Sequence, residues 1–216
     1  MTDTFELEQG KLIMNRQIIL IGGAPTTGKS TVARALAKKL DLPWLSADQI
    51  RDAMRVVAAK RDYPDLFNAG LDAEKFLTRF TAEEIVDKEI AQSKAAWLGV
   101  KAFIEHDYTW PEGFIIEGVN ILPQLVAADF GANTQVQAIF LVDHNQDRMR
   151  KVIYERGLWG DAHTYPDTVK EKEVEWSTLF GKRLEAEAKK HGYPYIEVHK
   201  SDEDTDRVLA VLRVST

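Results

Sequence analysis

Gln17-Ile18-Ile19-Leu20-Ile21-Gly22-Gly23-Ala24-Pro25-Thr26-Thr27-Gly28-Lys29-Ser30-Thr31 is the stretch on which the fold turns. Ile18 to Ile21 are four consecutive aliphatics closed by two glycines. A short continuous apolar run of this kind reads as a strand buried on both faces, as in a parallel sheet. From Lys29 to Leu40 the period changes, and Val32, Leu36 and Leu40 fall on one helical face before Asp41-Leu42-Pro43 ends the helix. Between strand and helix, Gly23 to Ser30 fits G-x-x-x-x-G-K-[ST]. The spacing has a physical reason. Glycines at both ends let the backbone turn tightly and approach an anion without a Cβ in the way. The loop N–H groups and the helix N-terminus then present donors to phosphate. Lys29 is expected to reach the β- and γ-phosphates of a nucleoside triphosphate and the Ser30 hydroxyl to ligate Mg²⁺. Gly23, Ala24, Pro25, Thr26, Thr27, Gly28, Lys29, Ser30 and Thr31 are the expected nucleotide-binding residues.

Working outward, Trp44-Leu45-Ser46 reads as a second strand and Ala47 to Ala59 as an Arg-rich helix. Residues 61–111 carry helical spacing (Phe76, Phe80, Ile85, Ile90, Trp97) with little strand signal, and read as a helical insertion on the acceptor side. Phe114-Ile115-Ile116 is a third strand ending at Glu117-Gly118, and Val136 to Val142 a fourth ending at Asp143. A helix over 145–156, a Gly- and Trp-containing loop over 157–166, a long helix over 167–191, a strand over 195–198 and a helix over 202–212 complete the chain. Strands alternating with helices predict an α/β fold: a parallel sheet of about five strands with helices on both faces, in a single domain over 1–216. Ligands of such sheets bind beyond the carboxyl ends of the strands.

Composition narrows the class. The chain has 216 residues, no cysteine and a net charge of −6. Disulfides, thiolate metal sites and cysteine nucleophiles are excluded, and a cytoplasmic setting is expected. The acidic balance argues against nucleic acid as a partner. The first ten residues are polar and acidic, and no apolar run approaches a membrane span. Composition is silent on oligomeric state.

Three acids at strand ends compete for roles. Asp48 follows the second strand, where a carboxylate can orient or deprotonate an acceptor hydroxyl. Arg51, one turn on, and Arg55 on the same face are expected to bind an anionic acceptor. A helix start with a surface ion pair is the bland alternative for Asp48 and Arg51. Glu117 is favoured over Asp143 as the acid on the Mg²⁺ side, with Asp143 expected to cap the helix that follows it. Arg148 and Arg156, eight residues apart, are expected on a mobile lid that neutralises charge on the transferred phosphoryl group, with Lys182 and Arg183 near the same cleft. A solvated basic helix is the alternative. His106, Tyr108 and Trp110 are further candidates for the acceptor pocket, with packing as the alternative.

The motifs resemble those of the P-loop kinase superfamily, and the layout resembles the adenylate-kinase-like small kinases. Within them the chain is most similar to 2-phosphoglycerate kinase-like proteins, through Ile19 to Gly23 with the phosphate loop, Ser46 to Arg51, Phe114 to Pro123, and Leu184 to Val198. It departs from that pattern at Asn120, where such proteins commonly carry His, and in the Ala-Pro-Thr-Thr interior of the loop. The resemblance implies ATP as the nucleotide and a small hydroxyl compound as the acceptor. Three readings remain open: an ATP-dependent small-molecule kinase, a polynucleotide or toxin-like sugar-nucleotide kinase, and a switch ATPase without an acceptor. The base pocket is expected near 199–202.

Overall fold

The computed structural model describes residues 16–68, 73–158, 162–199 and 203–212. Strand β1 (Gln17–Gly23) leads through the phosphate loop into α1 (Lys29–Leu40). β2 (Trp44–Ser46) and α2 (Ala47–Val57) follow, then a 3-10 turn over Pro64–Phe67, α3 (Ala73–Arg79) and α4 (Ala82–His106). The second half carries β3 (Gly113–Gly118), α5 (Pro123–Phe130), β4 (Val136–Val142), α6 (Gln146–Arg156), a 3-10 turn over Ala162–Thr164, α7 (Asp167–His191), β5 (Tyr195–Glu197) and α8 (Glu203–Val211).

The five strands form one parallel sheet in the order β2-β3-β1-β4-β5. β1 lies at its centre, with Leu20 opposite Ile116 on one side and Ala138 on the other. The strand period of two splits the core into two layers. Ile18 and Leu20 point with Phe114, Ile116, Ala138 and Phe140 into the layer that holds Trp97, Val100, Phe180 and Leu184. Ile19 and Ile21 point with Ile115, Ile139 and Leu141 into the layer that holds Val32, Leu36, Val208 and Leu212. A strand buried on both faces has no place for alternation, which is why Ile18 to Ile21 read as a solid run.

The α/β expectation is borne out, helices on both faces included. α5 is an element that the sequence pattern does not reveal. It is short, and Pro123 at its first position is its one start signal: Leu122 at the N-cap offers no side-chain acceptor and the first turn has no acidic residue. α4 has them in full: Thr81 Oγ1 accepts from Glu84 N at 3.2 Å, and Glu84 Oε2 accepts from Thr81 N at 2.9 Å. Among the described residues no helix is long and apolar enough to cross a membrane.

The topology brings three strand ends together. β3 lies between β1 and β2, with Glu117 opposite Ile21 on one side and Ser46 on the other. The carboxyl ends of β1, β2 and β3 therefore deliver the phosphate loop, Asp48 and Glu117 to one edge of the sheet.

Candidate active site

The phosphate loop is tightly folded. Thr26 (φ 66°) and Gly28 (φ 85°) both take left-handed backbone conformations. For glycine this is free; for β-branched Thr26 it costs on the order of 1–3 kcal/mol, strain of the kind that collects at functional sites. The Thr26 Oγ1 is buried without a hydrogen-bond partner. Thr27 Oγ1 donates to Ala24 O at 2.9 Å and Lys29 Nζ to the same carbonyl at 2.8 Å. Gly23 admits no side chain: a Cβ there would stand 2.8 Å from Leu141 O. A Cβ at Gly28 would meet nothing within 4 Å, so the loop opens outward at that point. Burial pushes the Lys29 ammonium below its ordinary range, with Glu117 and Asp48 opposing that shift and Arg156 adding to it. A desolvated cation at the start of a helix, beside a loop turned by left-handed residues, is an arrangement suited to a multiply charged anion.

Glu117 is buried, and its Oε1 accepts from Ser30 Oγ at 3.0 Å. Burial raises its pKa; Lys29 and the Ser30 hydroxyl pull the other way. One hydroxyl and one carboxylate make the sparse oxygen set that Mg²⁺ accepts when substrate phosphates and water complete its octahedron. Among the described residues no group of three or more His, Cys, Asp or Glu could hold a metal ion, and a Mg²⁺ at Ser30 and Glu117 would need substrate phosphates and water to complete its shell. Ser30 and Glu117 fit Mg²⁺ in that way.

Asp48 stands in the first turn of α2, after Ser46, whose Oγ accepts from Asp48 N at 3.2 Å. Its Oδ1 accepts from Arg51 Nη1 at 2.9 Å and from Asn120 Nδ2 at 3.1 Å. The Asp48 side chain remains 44% exposed, so one oxygen is anchored while the carboxylate still faces the cleft. Arg51 and Arg55 part company. Arg51 pairs with Asp48 and Asp52. Arg55 is used up as a brace: Nε donates to Leu66 O at 2.7 Å, Nη1 to Asp52 at 3.0 Å and Nη2 to Gln92 Oε1 at 2.7 Å. It ties α2 to α4 and to the 3-10 turn after it.

The two arginines expected on a lid also separate. Arg156 ends α6 and is close enough to Lys29 to depress its pKa. Arg148 is held elsewhere. Its Nη2 donates to Asp143 Oδ1 at 2.6 Å and to Val198 O at 2.7 Å, and its Nε to Asp143 Oδ2 at 3.1 Å. This clamp joins α6 to the ends of β4 and β5, so Arg148 is not free for a phosphoryl group. The cap of α6 is Asn145, whose Oδ1 accepts from Arg148 N at 2.8 Å; Asp143 supports it from two residues back. The Asp143 side chain is fully buried. Arg148→Ala takes the guanidinium away from that buried carboxylate, which keeps the Asn145 N–H, and should cost about 3 kcal/mol of stability, read by denaturant unfolding. A loss below the error of that measurement would show the clamp to be dispensable.

Other expected residues fall outside the cleft. His106, Tyr108 and Trp110 precede β3 and so lie at the sheet edge opposite Glu117; Trp110 packs on Phe103 and Phe114, and Tyr108 is 95% exposed. Arg183 pairs with Asp87 and so links α7 to α4. Residues 159–161, within the expected lid loop, and 200–202, within the expected base pocket, lie outside the described residues.

Four side chains near Asp48 were not expected: Glu89, Gln92 and Ser93 on α4, and Asn120 after β3, all buried. The signal was there. Glu89, Gln92 and Ser93 recur at i, i+3 and i+4 on the same helix face as Ile85, Ala96 and Val100, polar residues on a stripe otherwise apolar. Burial raises the Glu89 pKa to about 7, with Asp48 adding to the shift and Arg51 and Arg55 opposing it. Glu173 on α7, whose carboxylate oxygens are buried without a partner, is likewise raised to about 7 by burial, against the pull of Lys170. Between pH 4.5 and 7 the folded chain therefore holds protons that the unfolded chain has lost, and stability falls as pH rises through that window. The melting temperature should be lower at pH 8 than at pH 5.5, and the difference should shrink in Glu89→Gln and again with Glu173→Gln. A melting temperature that rises between those two pH values and is unchanged in shape by both substitutions would contradict it.

Comparison with known proteins agrees with this layout. Residues 16–106 match the model of the family described as Chloramphenicol phosphotransferase-like protein. The chain is 27% identical over 205 residues to the 2-phosphoglycerate kinase of Methanocaldococcus jannaschii, covering 94% of this chain and 65% of that one. It is 25% identical over 138 residues to the mevalonate-3-phosphate 5-kinase of Thermoplasma acidophilum, covering 63% of this chain and 67% of that one. The solved structure of TT1252 from Thermus thermophilus aligns with a TM-score of 0.51 at 20% identity, covering 91% of this chain and 95% of that one. The chain thus spans about two-thirds of the length of the Methanocaldococcus relative. The resemblance to P-loop kinases, and within them to 2-phosphoglycerate kinases, is borne out.

Proposed function

We propose that this chain is an ATP-dependent kinase that transfers the γ-phosphoryl group to a hydroxyl of a small anionic acceptor, of the kind that 2-phosphoglycerate kinases use. One observation carries the reading: Lys29 lies in the field of Glu117, Asp48 and Arg156 together, groups delivered by separate strand and helix ends. A phosphate loop alone binds nucleotide. A loop with an acid on the metal side and a second acid one strand further on has a place for an acceptor.

The residues divide the work as follows. Gly23 to Thr31 cradle the phosphates, with Lys29 turning from Ala24 O to the β- and γ-oxygens. Ser30 and Glu117 hold Mg²⁺, which when bound neutralises charge on those oxygens. Asp48 accepts the proton of the acceptor hydroxyl as its oxygen bonds to the γ-phosphorus, while the bond from that phosphorus to the β–γ bridging oxygen breaks and ADP leaves with the electron pair. Arg156 offsets charge on the transferred group. Arg51 binds the anionic end of the acceptor, since its Nη2 makes no hydrogen bond among the described residues. Both kinase relatives have names that denote an acceptor already phosphorylated. In this reading the chain is one domain, residues 61–111 form its acceptor-side insertion, and it works in the cytoplasm.

The test is Mg²⁺-dependent ATP turnover against phosphoglycerates, other phosphorylated hydroxy acids, sugars, nucleosides and 5′-hydroxyl oligonucleotides. The expected result is strong stimulation by a phosphorylated hydroxy acid. Stimulation by oligonucleotides alone would transfer the reading to a polynucleotide kinase, and hydrolysis indifferent to every acceptor would point to a switch ATPase.

A further inference from the structure

α4 and the turn after β3 build a two-residue support behind Asp48. Asn120 is fully buried and so is Ser93. Ser93 Oγ donates to Asn120 Oδ1 at 3.3 Å, and Asn120 Nδ2 donates to Asp48 Oδ1 at 3.1 Å. The carboxylate can only accept, so the amide must turn its nitrogen to Asp48 and its oxygen to the serine. Arg51 Nη1 donates to the same Oδ1 at 2.9 Å. Both anchors therefore fall on one oxygen. Among the described residues nothing donates to Asp48 Oδ2, which is left to meet a hydroxyl.

We propose that Asn120, oriented by Ser93, is the positioning residue that fixes the Asp48 carboxylate so that Oδ2 faces the acceptor hydroxyl. The inference rests on the kinase reading above and deepens it: it assigns the two oxygens of the base to different tasks. It also explains why a helix of the insertion carries a buried serine on its apolar face. Arg51 by itself is a poor anchor, because it shares its guanidinium with Asp52 and stands where an anionic acceptor would draw on it. A neutral amide buried behind the carboxylate holds it whether or not the acceptor is bound. A buried group positioned in this way is worth on the order of 10²-fold in rate when its loss moves the reacting oxygen by about 1 Å.

The experiment is steady-state kinetics with the best acceptor, on wild type, Asn120→Ala, Asn120→Asp, Ser93→Ala, Asp48→Asn, and Asp48→Asn combined with Asn120→Ala. Binding of a non-hydrolysable ATP analogue, which uses the phosphate loop, checks the fold in each. The expected result is a kcat about 10- to 100-fold lower in Asn120→Ala with the KM for ATP unchanged. Asn120→Asp, nearly isosteric, should be at least as slow, because it turns an oxygen to Asp48 in place of an N–H. Ser93→Ala should fall between wild type and Asn120→Ala. In the Asp48→Asn background Asn120→Ala should cost nothing further, since there is no base left to position. Equal losses in both backgrounds, or a mild Asn120→Asp beside a severe Asn120→Ala, would mean that Asn120 merely fills space and would overturn the proposal. If Asn120→Ala fails the nucleotide-binding check, Ser93→Ala alone and combined with Asp48→Asn decides by the same comparison. Failure of the kinase reading itself would be seen separately, as wild type that no acceptor stimulates, and it would take this proposal with it.

Discussion

Lys29→Met should lower turnover by about 10²–10³-fold and leave the fold standing. The size of the effect follows from what the ammonium does. Its Nζ donates into the loop, and its present partner, Ala24 O, is a neutral carbonyl that it can leave without stranding a charge. In the transition state, charge spreads over the oxygens of the transferred group, and a desolvated cation there acts at low dielectric. Methionine keeps the aliphatic stem and removes only the charged end. Burial already lowers the Lys29 pKa, which means the folded chain holds this charge at a cost. The substitution should therefore leave the melting temperature of the free protein equal or higher, while nucleotide binding weakens. Phosphoryl transfer from ATP, nucleotide affinity and thermal melting measured on the same preparation check it. Turnover within tenfold of wild type would refute the assignment of Lys29 to the phosphates.

Asp48→Asn separates chemistry from architecture. The amide oxygen can take the place of Oδ1 and keep both donors, Arg51 Nη1 and Asn120 Nδ2. The new NH₂ group then stands where Oδ2 was and offers a hydrogen where a proton acceptor is needed. Acceptor-stimulated turnover should fall by about 10²–10⁴-fold, the range for loss of a general base. Affinity for the ATP analogue should be nearly unchanged, because the phosphate loop does not depend on Asp48 for its shape. The measurement is product formation with the best acceptor, set against analogue binding. Full acceptor-dependent turnover in Asp48→Asn would remove the base from Asp48 and leave it as a structural partner of Arg51 and Asn120.

The two variants also distinguish each other. Lys29→Met should depress both the acceptor-dependent rate and hydrolysis by water, since the phosphoryl group passes through the same charge state in each. Asp48→Asn should depress mainly the acceptor-dependent rate.

How much of this was legible in the linear sequence depended on the range of the interaction involved. Local signals carried the strand-loop-helix from Gln17 to Leu40, because a doubly buried strand, a loop built for an anion and an amphipathic helix each leave a pattern within a few residues. Alternation of strands and helices then implied the parallel sheet. Asp48 and Glu117 could be singled out because ligands of such sheets gather at strand ends. What lay beyond sequence was which distant groups meet. Arg148 and Arg156 carry the same charge on one helix, yet Arg148 is bound by Asp143 and by the carbonyl of Val198, fifty residues away, and Arg156 lies in the field of Lys29. Arg55 shares a helix face with Arg51, but Gln92 and Leu66 O consume its donors. Asn120 and Ser93 stand 27 residues apart, and only the packing of α4 against the end of β3 makes them a support for Asp48. The sequence by itself determined the sheet, the phosphate loop and the acids at its rim, since these follow from periodicity and from short-range backbone chemistry. The tertiary structure alone decided which side chains are spent on holding the fold and which remain for a ligand, because burial and partnership are properties of neighbours in space.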